Sequence, residues 1–349
     1  MPAAPSEDSA INQRLRYRPR AEPGLEARWA SIRAGDSAAL SQAITLLESS
    51  RPQDRLLAAD LVARADALSG EHSFRLGISG SPGVGKSTFI EVFGQALLDR
   101  GHRLAVLAID PSSSLSGGSI LGDKTRMAEL AKREAAFIRP SPSGGFLGGV
   151  NRMTRESMLL CEAAGYDYLM VETVGVGQSE LAVHGMTDAF LLLAQPGAGD
   201  ELQGIKRGVL ELADLIVVNK VDRLPEAAKQ TAVQLQQALH LAPARADQWT
   251  PLVQTAAALT GEHIDTILTS VEEYRQHLLT NTYFTQGRER QQQQWLLELL
   301  RTEILGDLES SAMFQEAARQ PVSHEQGLYH KARQLLRQFY HDQIKDQTV

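Results

Sequence analysis

The sequence predicts an α/β fold built on a mostly parallel, doubly wound β-sheet. Between residue 74 and about residue 260, short apolar runs rich in Val, Ile and Leu alternate with helix-like segments, which is typical of strands buried on both faces. The runs span 74–79, 103–110, 135–139, 166–172, 189–195, 215–221 and 251–256. Ligands of such sheets bind at the carboxyl ends of the strands, and polar clusters follow directly after several of these runs.

Composition and charge narrow the class of protein. The chain has 349 residues, of which 43% are hydrophobic and 22% charged, so it can form a packed core. A net charge of −7 argues against nucleic-acid binding as its main function. No apolar stretch reaches the length of a membrane span, so we expect no membrane segment. The single cysteine, Cys161, gives no disulfide or cysteine-based metal site and favours a cytoplasmic location; we expect it to be buried on a helix.

The sheet region is flanked by segments of different character. Residues 1–23 show little periodicity and predict a flexible arm, in which arginines suggest a targeting peptide but Glu7 and Asp8 argue against one. Residues 24–72 predict an N-terminal helical extension. Ser37 can cap its first amphipathic stretch, and the two stretches carry Leu40, Ile44 and Leu47, and Leu57, Leu61, Ala65 and Leu68.

The sheet itself occupies a predicted nucleotide-binding domain over residues 73–262, and residues 263–349 predict a C-terminal helical region. In this last region apolar residues recur at helical spacing on one face: Trp295, Leu296, Leu299, Leu300 and Ile304. Such a helix can serve the assembly of a dimer or can dock within its own chain, and the pattern alone does not separate the two.

A glycine-rich turn with a lysine follows the first apolar run and precedes a helix-like segment. It reads Gly80-Ser81-Pro82-Gly83-Val84-Gly85-Lys86-Ser87-Thr88, which is a P-loop in its full strand–turn–helix context. Glycines allow backbone N–H groups to surround a phosphate chain, and the helix N-terminus attracts the anion. Lys86 is expected to neutralise phosphate oxygens, and the Ser87 hydroxyl to bind Mg²⁺.

The base of the nucleotide is predicted from a second cluster, Asn219-Lys220-Val221-Asp222, directly after the predicted strand from Leu215 to Val218. The Asp222 carboxylate can accept hydrogen bonds from N1–H and the exocyclic amino group of guanine. Adenine offers neither donor, so this carboxylate would remain unpaired with ATP, which gives strong discrimination. Asn219 can support the loop, and the stem of Lys220 can lie along the base. The predicted ligand is therefore GTP or GDP.

Two carboxylates can serve the metal side of this site. Asp110 closes the second apolar run, and Glu172 closes the fourth and begins Glu-Thr-Val-Gly175. Oxygen ligands suit Mg²⁺, and either residue could bind it directly or through water. The backbone N–H of Gly175 could sense the terminal phosphate. G proteins usually carry aspartate at the position of Glu172, so its longer side chain leaves the mode of contact open.

Two further glycine-rich polar segments follow strands, at 139–149 and 197–206, and segments of this length are often functional. The second contains Asp200 and Lys206, and Lys206 could supply positive charge to a transition state. His184 has no acidic or nucleophilic residue at a recognisable spacing, so we interpret it as structural. The histidines of the chain form no metal-ligand pattern.

Together these motifs resemble the MeaB/ArgK family of G-protein chaperones. The resemblance covers residues from about 35 to 345 and is most specific in two runs, Gly118-Ser-Ile-Leu-Gly-Asp-Lys-Thr-Arg-Met127 and Glu172-Thr-Val-Gly-Val-Gly-Gln-Ser-Glu180. It implies a P-loop GTPase of the SIMIBI class with an N-terminal helical extension and a C-terminal dimerisation arm, and therefore a homodimer. It also implies a partner, adenosylcobalamin-dependent methylmalonyl-CoA mutase, whose cofactor loading the GTPase gates and which it protects.

The resemblance assigns roles to particular residues. It places the last guanine-contacting loop at Ala257-Ala258-Leu259, where alanine replaces the family's serine, and His263 where glycine is common. It makes Asp110 and Glu172 the acids on the Mg²⁺ side, and 200–206 a partner-responsive switch in which Asp200 and Lys206 support catalysis. The chain lacks a D-x-H-x-x-G cobalamin motif, so a cobalamin would belong to the partner.

Other interpretations remain at this point. The client could be a related acyl-CoA mutase. A GTPase that delivers nickel to another metalloenzyme is a different class, but a single cysteine and the lack of a histidine-rich tract argue against it. A third interpretation is a kinase of transport proteins that uses ATP. The motif Asn219-Lys220-Val221-Asp222 argues against this interpretation, because Asp222 favours guanine over adenine.

Overall fold

The computed structural model describes residues 23–49, 51–68, 70, 72–110, 127–142, 147–173, 179–197, 207–241, 245–319 and 327–346. Residues 1–22 of the predicted arm lie outside this part of the chain. No helix within the described ranges is long and apolar enough to cross a membrane.

A parallel sheet of seven strands forms the centre of the fold, in the order β3-β2-β4-β1-β5-β6-β7. Every neighbouring pair is parallel. Each predicted apolar run overlaps one strand, so the predicted fold class is confirmed. The strands are β1 (Phe74–Gly80), β2 (Leu104–Asp110), β3 (Ala136–Pro142), β4 (Tyr168–Thr173), β5 (Ala189–Ala194), β6 (Leu215–Val218) and β7 (Leu252–Thr255).

Helices connect and flank these strands. They are α1 (Leu25–Arg33), α2 (Ser37–Leu47), α3 (Pro52–Asp66), α4 (Lys86–Asp99), α5 (Leu147–Ala163), α6 (Ser179–His184), α7 (Arg207–Leu212), α8 (Pro225–His240), α9 (Ile264–Thr280), α10 (Tyr283–Ser310), α11 (Ala312–Arg319) and α12 (Leu328–Asp346), with a short 3-10 helix at Leu130–Lys132. Helices alternate with most of the strands along the chain and supply crossover connections of the kind that parallel strands require.

One face of the sheet is covered by α4 and α9, which also pack against each other. Their buried apolar residues lie at helical spacing toward β1, β2 and β5, and the core includes Phe89, Phe93, Leu97, Ile267, Leu268 and Val271. The other face is covered by α5 and α6. Cys161 is fully buried on α5, as expected, and burial raises the pKa of its thiol.

The N-terminal helices α1, α2 and α3 pack on α5. The predicted cap of α2 at Ser37 is wrong by one residue: Asp36 is the N-cap, and its Oδ1 accepts hydrogen bonds from the N–H groups of Ala38 at 2.8 Å and Ala39 at 3.2 Å. A carboxylate one residue upstream reaches the same donors and favours the helix dipole. Leu68 was also assigned wrongly to a packed face, because α3 ends at Asp66 and Leu68 is exposed.

An ion pair ties this extension to the sheet edge. Nη2 of Arg139, on β3, contacts both carboxylate oxygens of Glu48, at 2.9 and 2.8 Å. The same guanidinium donates to hydroxyls on α2. Arg139 therefore has a structural partner at the start of its glycine-rich segment, whose residues 143–146 lie outside the described part.

The chain divides into two compact units, of which the first ends at Phe284 and the second begins at Thr285. Helix α9 lies in the first unit, with its apolar face on the core. The second unit contains most of α10, together with α11 and α12, which contact each other. On α10 several apolar side chains are exposed, namely Leu296, Leu297, Leu300, Ile304 and Leu305, while Trp295 and Leu299 are half-buried.

Candidate nucleotide-binding site

The predicted site residues come at or directly after the carboxyl ends of the strands. β1 lies at the centre, hydrogen-bonded to β4 on one side and to β5 on the other. β5 pairs with β6, which pairs with β7. Because all strands are parallel, the segments that follow their carboxyl ends all leave the sheet on the same side. The P-loop after β1 therefore lies beside the carboxyl ends of β4 and β5.

Glycine is required in the P-loop by close contacts of the backbone. A Cβ on Gly80 would lie 2.6 Å from the carbonyl oxygen of Leu193, which no side chain can tolerate. Gly85 has φ of 98°, in the left-handed region, and a Cβ there would lie 2.8 Å from Nδ2 of Asn219. Inside the turn, the N–H of Val84 donates to the carbonyl of Ser81 at 3.2 Å. The loop is thus a tight turn that leads directly into α4.

Lys86 is the first residue of α4, and its side chain folds back over the loop. Nζ donates to the carbonyl oxygens of Gly80 at 2.7 Å and Ser81 at 3.3 Å. Burial lowers the pKa of the Lys86 ammonium, and the negative charges of Glu172 and Glu180 oppose that effect. The half-buried ammonium therefore lies at a helix N-terminus, where an anion would be favoured.

The end of β4 is linked to the end of β1 below the loop. The Thr173 hydroxyl donates to the Ser79 hydroxyl at 2.9 Å, and both side chains are fully buried. Glu172, one residue earlier, is 5% exposed and pairs in register with Ile78. These contacts place the acidic strand end beside the P-loop strand, as the sequence predicts.

The donor set next to the loop fits Mg²⁺. Ser87 offers a hydroxyl in the first turn of α4, and Glu172 offers a carboxylate on the neighbouring strand. Both are hard oxygen ligands, which Mg²⁺ prefers. The third predicted ligand, Asp110, is the last residue of β2, which pairs with β4; its side chain lies outside the described part.

Asn219 brings three predicted motifs together. Its Nδ2 donates to the carbonyl of Val84 in the P-loop at 2.9 Å, and its Oδ1 accepts from the N–H of Ala258 at 3.0 Å. Lys220, at φ of 64°, donates from Nζ to the carbonyl of Gly83 at 2.6 Å. The phosphate loop, the Asn-Lys-x-Asp motif and the loop at Ala257-Ala258-Leu259 therefore form one contiguous structure.

The residues expected to contact the base lie at the outer side of this structure. Asp222 is exposed on the turn that follows Asn219. Ala257 and Ala258 are buried, and their N–H groups donate to the carbonyl of Glu262 and to Oδ1 of Asn219, whereas Leu259 is 68% exposed. A serine hydroxyl is absent from this loop, and the backbone N–H groups are unaffected by that difference. His263, a few residues further on, has φ of 64°, in the left-handed region.

Some predicted residues lie outside the described part of the chain: Gly175, Asp200 and Lys206. His184 is half-buried, its ring lies 6.0 Å from that of Phe190, and burial lowers the pKa of its imidazole, in agreement with a structural role. Sequence reasoning missed Gln195, whose Nε2 donates to the carbonyl of Pro82 at 3.2 Å. The sequence signal that could have found it is its position, because Gln195 is the polar residue that closes the fifth predicted run, 189–195.

Comparison with known proteins agrees with this geometry. The family model described as methylmalonyl Co-A mutase-associated GTPase MeaB matches residues 40–313. The GTPase ArgK of Escherichia coli (strain K12) is 46% identical over 292 residues, which are 83% of this chain and 88% of that protein. The mitochondrial methylmalonic aciduria type A homolog of Mus musculus is 47% identical over 281 residues, 78% of this chain and 68% of that protein.

A solved structure extends the similarity to the fold. The crystal structure of an LAO/AO transport system kinase superposes with a TM-score of 0.70 at 36% identity, covering 91% of this chain and 96% of that chain. The family model covers most of the chain, and relatives more than 40% identical are named for GTPase activity or for methylmalonic aciduria type A. The chain therefore belongs to the MeaB family and is a P-loop GTPase.

Proposed function

We propose that this GTPase is a chaperone of an adenosylcobalamin-dependent acyl-CoA mutase, with methylmalonyl-CoA mutase as the first candidate. The observation that carries the proposal is the joined P-loop and Asn-Lys-x-Asp motif in a chain that matches the mutase-associated family model over residues 40–313. The name of the mouse relative points to the same metabolic context. The GTPase would gate loading of the cofactor and protect or reactivate the mutase.

In this proposal the phosphates lie in the loop that runs from Gly80 to Thr88. Its N–H groups and the N-terminus of α4 would surround the phosphate oxygens. Lys86 would exchange the carbonyl oxygens of Gly80 and Ser81 for the β- and γ-phosphates, which are stronger acceptors because they are charged. Burial of the ammonium strengthens that exchange, since the electrostatic attraction acts in a medium of low dielectric constant.

Guanine would be read by Asp222, with Lys220 along the base and the backbone of Ala257, Ala258 and Leu259 near its edge. Asn219 would hold this arrangement rather than contact the base, because both ends of its amide are already bonded within the protein.

The variant Asp222→Ala tests whether Asp222 reads the base. GTP affinity should fall by about a hundredfold or more while ATP affinity is unchanged, because the base loses a charged partner that accepts two of its hydrogen bonds. Equal affinity of the parent protein for GTP and ATP would contradict base reading.

Mg²⁺ would bind between Ser87 and Glu172, with Asp110 as a further oxygen ligand, and it would neutralise charge on the terminal phosphates. Gly175 would contact the γ-phosphate through its N–H. Asp200 and Lys206 would belong to the partner-responsive segment, and Lys206 would stabilise charge in the transition state. The residues that bind GTP and those that respond to the partner would thus lie after neighbouring strands.

The cobalamin cofactor would be bound by the mutase, since this chain lacks a cobalamin motif. A cytoplasmic location fits the single cysteine, and neither a membrane nor a nucleic acid is part of the proposal.

The decisive experiment measures GTP turnover with and without purified acyl-CoA mutases. Stimulation by one of them supports the assignment and identifies the client. If none stimulates turnover, the chaperone function is wrong while the GTPase activity stands.

We also propose that the protein is a homodimer and that α10 contributes the interface. The proposal rests on the family resemblance and on the exposed stripe of Leu296, Leu300 and Ile304, whose burial by a second copy would remove apolar surface from water. Light scattering should give the mass of two chains for the parent and of one chain for the double variant Leu300→Glu/Ile304→Glu. A parent that remains a monomer at high concentration would contradict this.

A further inference from the structure

Gln195 lies directly against the outer side of the P-loop. It is the first residue after β5, and its Nε2 donates to the carbonyl of Pro82 at 3.2 Å. The same nitrogen is 3.5 Å from the hydroxyl of Ser81. A Cβ placed on Gly83 would lie 3.9 Å from it. The amide of Gln195 therefore covers the tip of the turn that is proposed to hold the phosphates.

The bond from Gln195 completes a series along the loop. The carbonyls of Gly83 and Val84, which follow Pro82, accept hydrogen bonds from Lys220 and Asn219 at 2.6 and 2.9 Å. Three successive carbonyls are thus held by side chains that follow β5 and β6. In a trans peptide the C=O and N–H groups point in opposite directions. Holding the carbonyl of Pro82 on one side consequently turns the N–H of Gly83 toward the other.

The backbone that carries Gln195 is fixed on both sides. Before it, β5 is paired with β1 and β6 in the middle of the sheet. After it, the N–H of Gly197 donates to the hydroxyl of Thr231 at 3.0 Å, and Thr231 is 2% exposed on α8. Because this backbone is already ordered, fixing the amide against the loop costs only the rotamer freedom of the side chain itself.

We propose that Gln195 is a positioning residue for GTP binding and hydrolysis: through the Pro82 carbonyl it orients the N–H of Gly83 for contact with the phosphate chain. This inference rests on the proposed role of the P-loop as the phosphate site. Asn219 and Lys220, in the base-reading motif after β6, hold the carbonyls of Val84 and Gly83. Gln195, directly after the adjacent strand β5, holds the carbonyl of Pro82. The amide acts through the loop and needs no contact with the nucleotide.

The test compares Gln195→Met, which keeps the length of the side chain without a donor, with Gln195→Lys, which restores a donor of similar reach. GTP and GDP dissociation constants are measured, together with KM, kcat and the thermal unfolding midpoint with and without GDP. We expect Gln195→Met to weaken both nucleotides by roughly three- to tenfold, the range of one neutral hydrogen bond. KM should rise more than kcat falls, and Gln195→Lys should recover most of the affinity.

A purely structural role would lower the unfolding midpoint of the nucleotide-free protein and leave the stabilisation by GDP unchanged. The positioning role predicts instead that the increase in the unfolding midpoint caused by GDP becomes smaller in Gln195→Met. Parent-like affinities for Gln195→Met would overturn the inference. Lys86→Ala separates this from failure of the proposed site. If Lys86→Ala loses GTP while Gln195→Met does not, only the role of Gln195 is wrong; if Lys86→Ala keeps its GTP affinity, the proposed phosphate site is wrong.

Discussion

The side-chain oxygen of Asn219 accepts a hydrogen bond from the N–H of Ala258 at 3.0 Å, and this bond joins two loops of the nucleotide site that are far apart in sequence. The nitrogen of the same amide donates to the carbonyl of Val84 at 2.9 Å. Asn219 is 2% exposed, so water cannot replace either bond. One side chain therefore holds the P-loop and the predicted guanine loop at a fixed separation.

Asn219→Ala is expected to destabilise the protein even without nucleotide. It leaves a buried carbonyl and a buried N–H unpaired, and each costs about 1–3 kcal/mol. The unfolding free energy from urea titration of the nucleotide-free protein should therefore fall by about 2–6 kcal/mol. Asp222→Ala is the matched control, because Asp222 is exposed and its loss should change stability by less than about 0.5 kcal/mol. Similar unfolding free energies for the two variants would show that Asn219 does not join the loops.

A buried ion pair lies at the amino-terminal ends of the strands, on the side of the sheet away from the nucleotide site, where Asp214 directly precedes β6. Nη2 of Arg245 contacts Oδ1 of Asp214 at 2.5 Å, and the N–H of Phe190 donates to Oδ2 at 2.6 Å. Asp214 is 2% exposed. Burial raises the pKa of Asp214 to about 6, although the charge of Arg245 opposes the increase. This carboxyl therefore titrates in a range that unfolding experiments can reach.

The sign of its effect on stability follows from linkage. In the unfolded chain the pKa of an aspartate is about 3.9, so the folded protein binds this proton more tightly. The contribution of Asp214 to the unfolding free energy is therefore complete below about pH 4 and is lost as the pH rises through about 6. Replacing Asp214 by asparagine should flatten this part of the stability profile.

Arg245→Met should make the same pH dependence steeper. Without the guanidinium, the ionised Asp214 has no opposing charge, and breaking such a pair costs about 3–5 kcal/mol. We expect this loss at pH 7 and a smaller loss at pH 5, where more of the carboxyl is protonated. Guanidinium chloride unfolding at the two pH values measures both. The double variant Arg245→Met/Asp214→Asn is the control and should remove most of the difference between them; a loss in Arg245→Met that is independent of pH would contradict the prediction.

The strands were predictable from sequence because strands buried on both faces are uninterrupted apolar runs, as at 189–194, where every residue is buried. The motif residues Lys86 and Asn219 were predictable because their chemistry requires fixed spacing. Gln195 was not, since it belongs to no motif and its role arises only when β5 lies next to β1. The cap at Asp36 was missed because two adjacent residues are both good N-caps.

A second buried ion pair, between Arg75 on β1 and Glu162 on α5, predicts a large and recoverable loss of stability. Nε and Nη2 of Arg75 contact the two carboxylate oxygens at 2.7 and 2.8 Å, and both side chains are about one-tenth exposed. Glu162→Ala should lower the unfolding free energy by about 3–5 kcal/mol, because a buried guanidinium loses its counter-charge. Urea unfolding measures the loss.

The control for this pair is the double variant Arg75→Met/Glu162→Leu, which replaces both charges with apolar groups of similar size. Such replacements are often neutral, so most of the lost stability should return. If the double variant is as unstable as Glu162→Ala, the loss comes from packing around α5 rather than from the unpaired charge.

His263 gives a prediction about backbone strain beside the predicted guanine loop. It is the N-cap of α9, its φ is 64°, and its Nδ1 lies 3.0 Å from the carbonyl of Thr255. A residue with a Cβ is disfavoured by about 1 kcal/mol or more in the left-handed region, whereas glycine is not. His263→Ala keeps the strain and loses the side-chain contact, while His263→Gly loses the contact and relieves the strain. Thermal unfolding should therefore rank His263→Gly above His263→Ala by about 1 kcal/mol. Equal stability of the two variants would contradict this prediction. It would mean that the backbone relaxes to negative φ once the imidazole is removed, so that the contact with Thr255, rather than the turn, imposes the left-handed conformation.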